Sequence, residues 1–141
     1  MSIPVELADL AEVTCAHDYA YLVTLTDVGT AHIVAVTPVV EGDVLRITGL
    51  GRQSVGNAAA RAEVTLVWPP RSVEGHSLIV DGLAARSDAT AIVVTPSRAV
   101  LHRPVPRPES EPESGPADGE EPSSGCVSDC VELSLAQGDL A

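Results

Sequence analysis

AHIVAVTPVVEGDVLRITGLGRQSVGNAAARAEVTLVW, residues 31–68, is the stretch that decides how this chain folds. It reads as a strand (31–40), a tight turn at Glu41, Gly42 and Asp43, and a second strand (44–48). A glycine-bracketed loop (49–54), a short helix over about 53–62 and a third strand (63–68) follow. The two apolar runs flanking the turn are rich in Val and Ile, which favours strands. The turn is too short for anything but an antiparallel return. The helix begins straight after a strand, so its first free N–H groups and the positive end of its dipole face outward. Arg52, Gln53 and Ser54 stand at that start, with Asn57 one turn on, a pattern suited to a phosphate. Helix capping by Ser54 is the competing reading of the same residues.

Working outward, residues 4–16 place Val5, Leu7, Leu10, Ala11 and Val13 between Glu6, Asp9 and Glu12, which predicts an amphipathic N-terminal helix. In residues 19–26, Tyr19, Tyr21, Val23 and Leu25 alternate with Ala20, Leu22, Thr24 and Thr26, and DVGT then turns the chain into residue 31 as a hairpin. Beyond Trp68, Pro69 and Pro70 break the pattern. Residues 77–86 form another strand in which Gly82 marks a bulge or a close backbone approach. Residues 89–104 form a sixth, bent near Pro96. The expected fold is therefore mainly β: a six-stranded antiparallel split barrel with an N-terminal helix and one short inserted helix. It occupies residues 1–103. Residues 104–125, dense in Pro, Glu, Ser and Gly, read as a disordered acidic linker, and the 126–141 tail recovers enough alternation for an edge strand.

Composition excludes several functions. All eight basic residues are Arg, and the net charge is −12. Residues 1–103 hold seven Arg against eleven acids, so the folded part is mildly acidic and offers no basic face to nucleic acid. No apolar run is long enough to span a membrane, and MSIPVELADL has neither the charged nor the apolar region of a signal peptide, so a cytoplasmic protein is expected. Cys126 and Cys130 lack a second pair of ligands for zinc, and with Cys15 they read as small thiols. His17, His32, His76 and His102 are scattered, and no nucleophile elbow, Walker loop or dinucleotide fingerprint is present. Asp81 reads as a carboxylate on the wet face of a strand, and Trp68 as core or barrel rim.

The order of elements over residues 5–103 resembles the flavin-binding split-barrel superfamily, specifically small pyridoxamine 5′-phosphate oxidase-like proteins of actinobacterial type. Members pair a strand ending in G-D-x-L with a segment S-x-K-x-x-N-L before a strand like P-R-V-T-L. Here those places hold Gly42-Asp43-Val44-Leu45, the segment from Arg52 to Asn57, and Ala62-Glu63-Val64-Thr65-Leu66. The resemblance implies a homodimer with FMN, or a deazaflavin, in a cleft between subunits. Arg52, Gln53, Ser54 and Asn57 would hold its phosphate, and His32, Val34, Ala35, Val36 and Thr37 would lie against its ring. Where many relatives carry Lys before the Asn this chain has Ser54, leaving Arg52 as the nearby cation. The implied activity is that of an oxidoreductase on an unidentified small molecule, and no catalytic acid–base pair is expected because the cofactor carries the chemistry. Pyridoxamine phosphate oxidase activity itself is not expected, since an acidic stretch replaces the basic C-terminal region. Two alternatives stand beside this reading: a cofactor-free dimeric structural or interaction module, and a haem-binding relative using His32 or His76 as axial ligand.

Overall fold

The computed structural model describes residues 2–105. In chain order these form β1 (Ser2–Pro4), a 3-10 turn (Leu7–Asp9), α1 (Leu10–Thr14), β2 (Ala20–Leu25), β3 (Ala31–Val36), β4 (Val39–Glu41) and β5 (Val44–Ile47). Then come α2 (Arg52–Ala60), β6 (Glu63–Trp68), β7 (Ser77–Asp88) and β8 (Ala91–His102). The linker and C-terminal strand expected further on, with Cys126 and Cys130, lie outside the described residues.

One antiparallel sheet runs in the order β3-β2-β6-β7-β8-β5-β4, with β1 added on β8. Its two ends, β3 and β4, are neighbours in sequence but do not pair, so the barrel is open there and is a split barrel as expected. Eight strands stand where the sequence suggested six, for two reasons. Residues 31–40 are not one strand: Thr37 and Pro38 separate β3 from β4, because Pro lacks the N–H that a continuous ladder would need. The N-terminus is also not one helix over 4–16. Ser2, Ile3 and Pro4 pair with His102, Leu101 and Val100, and the helical part shrinks to the 3-10 turn and the five residues of α1. Pairing satisfies backbone groups that a lone amphipathic turn would leave to water.

The other sequence expectations for the sheet hold. β2 and β3 form the DVGT hairpin in register Thr24↔His32, Leu22↔Val34 and Ala20↔Val36. The β4–β5 turn places Gly42 at φ +59°, in the left-handed region that a side chain resists. Gly82 is both a bulge and a close approach. The β7–β8 register slips between Asp81 and Gly82, and a Cβ on Gly82 would come within 2.6 Å of the Thr95 carbonyl oxygen. β8 pairs with β5 over Ile92–Val94 and with β1 over Val100–His102. Between those partners β7 is its paired strand, with Val5 N–H donating to the Ala99 carbonyl, and Pro96 sits in that stretch.

With no Phe, the core is aliphatic: Leu22, Leu45, Ile47, Leu66, Leu78 and Ile92 are fully buried. Each contributes roughly 1.5–3 kcal/mol of transfer free energy. Trp68, 3% exposed, belongs to this core.

Candidate functional site: the α2 groove

Helix α2 presents two faces. Ser54, Val55, Asn57 and Ala58 are buried against the barrel, while Arg52, Gln53, Gly56 and Ala60 face outward. Gly51 is its N-cap, with no side chain closing the first turn. Ser54 is therefore neither cap nor surface donor. It sits two residues past Arg52 with 2% of its surface exposed, because helical periodicity turns that position inward. The helix spans 52–60 where 53–62 was expected, and Arg61 follows in extended conformation.

Asp27, Arg52, Gln53, Gly56, Asn57, Ala60 and Arg61 line a groove of about 590 Å³ along this outer face. Arg52 stands out electrostatically. Arg46 pairs with Glu41, Arg71 with Asp18 and Arg98 with Asp81. Arg61, Arg86 and Arg103 each donate to a backbone carbonyl, Arg61 to that of Asp27. Arg52 alone among the described arginines has neither a hydrogen bond nor an ion pair. Arg61, at the far end of α2, brings a second guanidinium to the groove. Its sequence signal was an Arg nine places after Arg52, which reads equally well as a cation answering the helix C-terminus.

Asn57 anchors the helix. Its Nδ2 donates to Thr24 Oγ1 at 3.1 Å, and its Oδ1 accepts from Gln53 Nε2 at 2.8 Å. Thr24 is 1% exposed and Asn57 6%, so the link is buried and the two polar groups satisfy one another. Thr24 escaped the sequence reading because alternation marks it as one of two strand faces without saying which face is inside.

The strand half of the expected site divides between two faces. Cross-strand partners share a face, so His32, Val34 and Val36 stand beside Thr24, Leu22 and Ala20 on the inner side. Ala35 is exposed on the opposite face, and Thr37 lies beyond β3 and is exposed. Residues 32, 34, 35, 36 and 37 cannot all line one ring, since the side-chain period of a strand is two. Through Thr24, the structure links Gln53 and Asn57 of α2 to the neighbourhood of His32; Ala35 and Thr37 stand apart. His76, in the loop before β7, has its Nε2 buried without a hydrogen-bond partner. Among the described residues no three His, Cys, Asp or Glu side chains come together as a metal site, and no helix is long and apolar enough to cross a membrane.

No family model matches the chain. It is 39% identical to the uncharacterised proteins Mb0449c of Mycobacterium bovis and MT0457 of Mycobacterium tuberculosis, in each case over 93% of this chain and 96% of the relative. Among solved structures, an F420 reductase superposes with a TM-score of 0.54 at 22% identity, covering 69% of this chain and 98% of its own. The FAD binding protein from Mycobacterium smegmatis does so with a TM-score of 0.54 at 21% identity, covering 73% and 100%. A heme binding protein from the same organism gives 0.51 at 16% identity, covering 69% of this chain and 54% of its own. The chain thus belongs to one family with the two mycobacterial proteins, and its fold is that of the flavin-binding, pyridoxamine 5′-phosphate oxidase-like split barrels.

Proposed function

We propose that this protein binds a flavin-type cofactor, FMN or a deazaflavin, and acts with it as an oxidoreductase on a small molecule in the cytoplasm. The observation that carries this reading is Arg52: a guanidinium with no partner among the described residues, at the first turn of α2, in a groove that also holds Arg61, Gln53 and Asn57. Arg52 and Gln53 fit a phosphate, because a fork of N–H groups beside a helix N-terminus is matched to phosphate oxygens. Once bound, such a cofactor supplies the hydride or electron transfer. The chain's own contribution is to hold it: Arg52 and Gln53 at the phosphate, Asn57 fixing α2 to the sheet through Thr24, and His32, Val34 and Val36 as the wall for the ring.

A second copy of the chain completes the proposal. The outer face of β2 and β3 exposes Tyr21 (38%), Leu25 (40%) and Ile33 (57%), with Val23 between them. In the same rows, β6 and β7 add Val67 and Ile79. Solvated faces of antiparallel sheets are ordinarily polar. An apolar one of this extent suits a homodimer, in which the same patch serves both subunits.

Calorimetric titration with FMN and with a deazaflavin tests the cofactor reading. Saturable binding is expected for one of them, weakened about tenfold or more by Arg52→Ala, in keeping with loss of a charge-assisted pair. Binding of neither, or an Arg52→Ala variant of unchanged affinity, overturns it. The burial of Ser54 favours the competing reading, a cofactor-free interaction module, and absence of binding in the same titration supports that one. The haem reading would use His32 or His76 as axial ligand; a Soret band that disappears in His32→Ala or in His76→Ala would carry it.

A further inference from the structure

A second hollow, of about 450 Å³, shares no residue with the α2 groove. Its floor is Leu10 and Leu45, 3% and 0% exposed. Leu7 of the 3-10 turn, Val40 and Val44 of the β4–β5 hairpin, and Pro96 of β8 also line it. The fold opens this space for identifiable reasons. The 3-10 turn and α1 are too short to cover the hairpin, which leaves Leu7 43% exposed. The β7–β8 register shift places Ser97 as the extra residue opposite Asp81 and Gly82, and such a bulge bends its strand beside Thr95 and Pro96.

The polar groups at this hollow are few, and one is a charge without a counterpart. Asp43 lies among its lining residues at the turn between β4 and β5. The hairpin's cation, Arg46, is engaged 2.8 Å away by Glu41. Asp43 itself has no hydrogen bond or ion pair among the described residues. Thr95 adds a hydroxyl to the lining. An apolar hollow within the 300–1,000 Å³ range of small-molecule sites, carrying one carboxylate, is complementary to an apolar body that bears one positive charge. Anions are disfavoured there by Asp43 and by the excess of eleven acids over seven Arg in residues 1–103. We propose that this hollow is a binding site for a small hydrophobic amine, its aryl or branched alkyl body against Leu7, Leu10 and Leu45 and its ammonium on Asp43. The site stands independently of the flavin reading.

The test is a ¹H–¹⁵N NMR titration of the full chain with 2-phenylethylamine and with its neutral counterpart 2-phenylethanol. Saturable shifts are expected at the amides of Leu7, Leu10, Val44 and Leu45, with the alcohol about fivefold weaker, as a partly solvated ion pair allows. Asp43→Asn brings the amine down to the affinity of the alcohol, Leu7→Asn weakens both, and Glu74→Gln, a carboxylate away from the hollow, changes neither. Equal affinity for amine and alcohol, an Asp43→Asn variant that binds the amine unchanged, or shifts confined to other surfaces overturns the proposal. Asp43 is exposed and makes no hydrogen bond or ion pair among the described residues, so Asp43→Asn remains informative even where Leu7→Asn fails to fold.

Discussion

Replacing Asn57 by Ala tests whether α2 is held on the barrel by one buried polar link. In the folded chain, Asn57 donates to a Thr24 hydroxyl that is 1% exposed and accepts from Gln53. Truncation leaves the Thr24 hydroxyl without its partner in a site water barely reaches, at about 1–3 kcal/mol. Loss of the more exposed Gln53 bond adds about 0.5 kcal/mol. Ala is the better helix former and returns roughly the same amount. The net expectation is about 2 kcal/mol of destabilisation, which for a folded unit of about 100 residues lowers Tm by roughly 8–16 °C. Urea denaturation followed by circular dichroism measures it, with the midpoint falling and the slope unchanged. The double variant Thr24→Val/Asn57→Ala removes both polar groups, so it should be less destabilised than the sum of the single variants by about 1 kcal/mol. A loss below about 0.5 kcal/mol for Asn57→Ala, or strict additivity in the double variant, would refute the idea that this link anchors the helix.

Glycine substitutions should split in sign by position. Gly82→Ala drives a Cβ to 2.6 Å from the Thr95 carbonyl oxygen and 2.7 Å from Val94 Cγ1, and should cost about 2 kcal/mol or more. Gly56→Ala meets nothing within 4 Å in mid-helix and should gain about 0.5–1 kcal/mol. Thermal melts of both variants check this, and equal effects would contradict the close approach at the bulge. Ile33→Asp should convert a dimer to a monomer in multi-angle light scattering at micromolar concentration; a native chain already monomeric there would remove the case for the outer sheet face. Tyr19 and Tyr21 form an edge-to-face pair with their hydroxyls 3.3 Å apart. The Tyr21 hydrogen bond, then its charge once ionised, holds Tyr19 above the usual phenol range, with desolvation and Asp18 adding in the same direction. The neutral phenol should thus persist to higher pH than in a Tyr21→Phe variant, as read from ring ¹³C shifts; superimposable titration curves would exclude the coupling.

Most of the sheet was legible in the residues themselves. Period-two alternation, Val and Ile enrichment, and short turns at Asp27–Thr30 and Glu41–Asp43 are local properties, so the hairpins, the inserted helix and the split-barrel class were legible from them. Trp68 as core and Gly82 as a bulge with a close approach were legible too. Other features were decided only by tertiary structure. That Ser2–Pro4 would pair with β8 depends on residues about 100 places away, and no periodicity within three residues announces it. Which face of β2 is inside was set by where α2 packs, so Thr24 could not be singled out as the partner of Asn57. The same packing turned Ser54 inward from a place where local chemistry made it a phosphate donor. It also left Arg52 without a partner among the described residues, because whether a charge is paired depends on every element that folds around it.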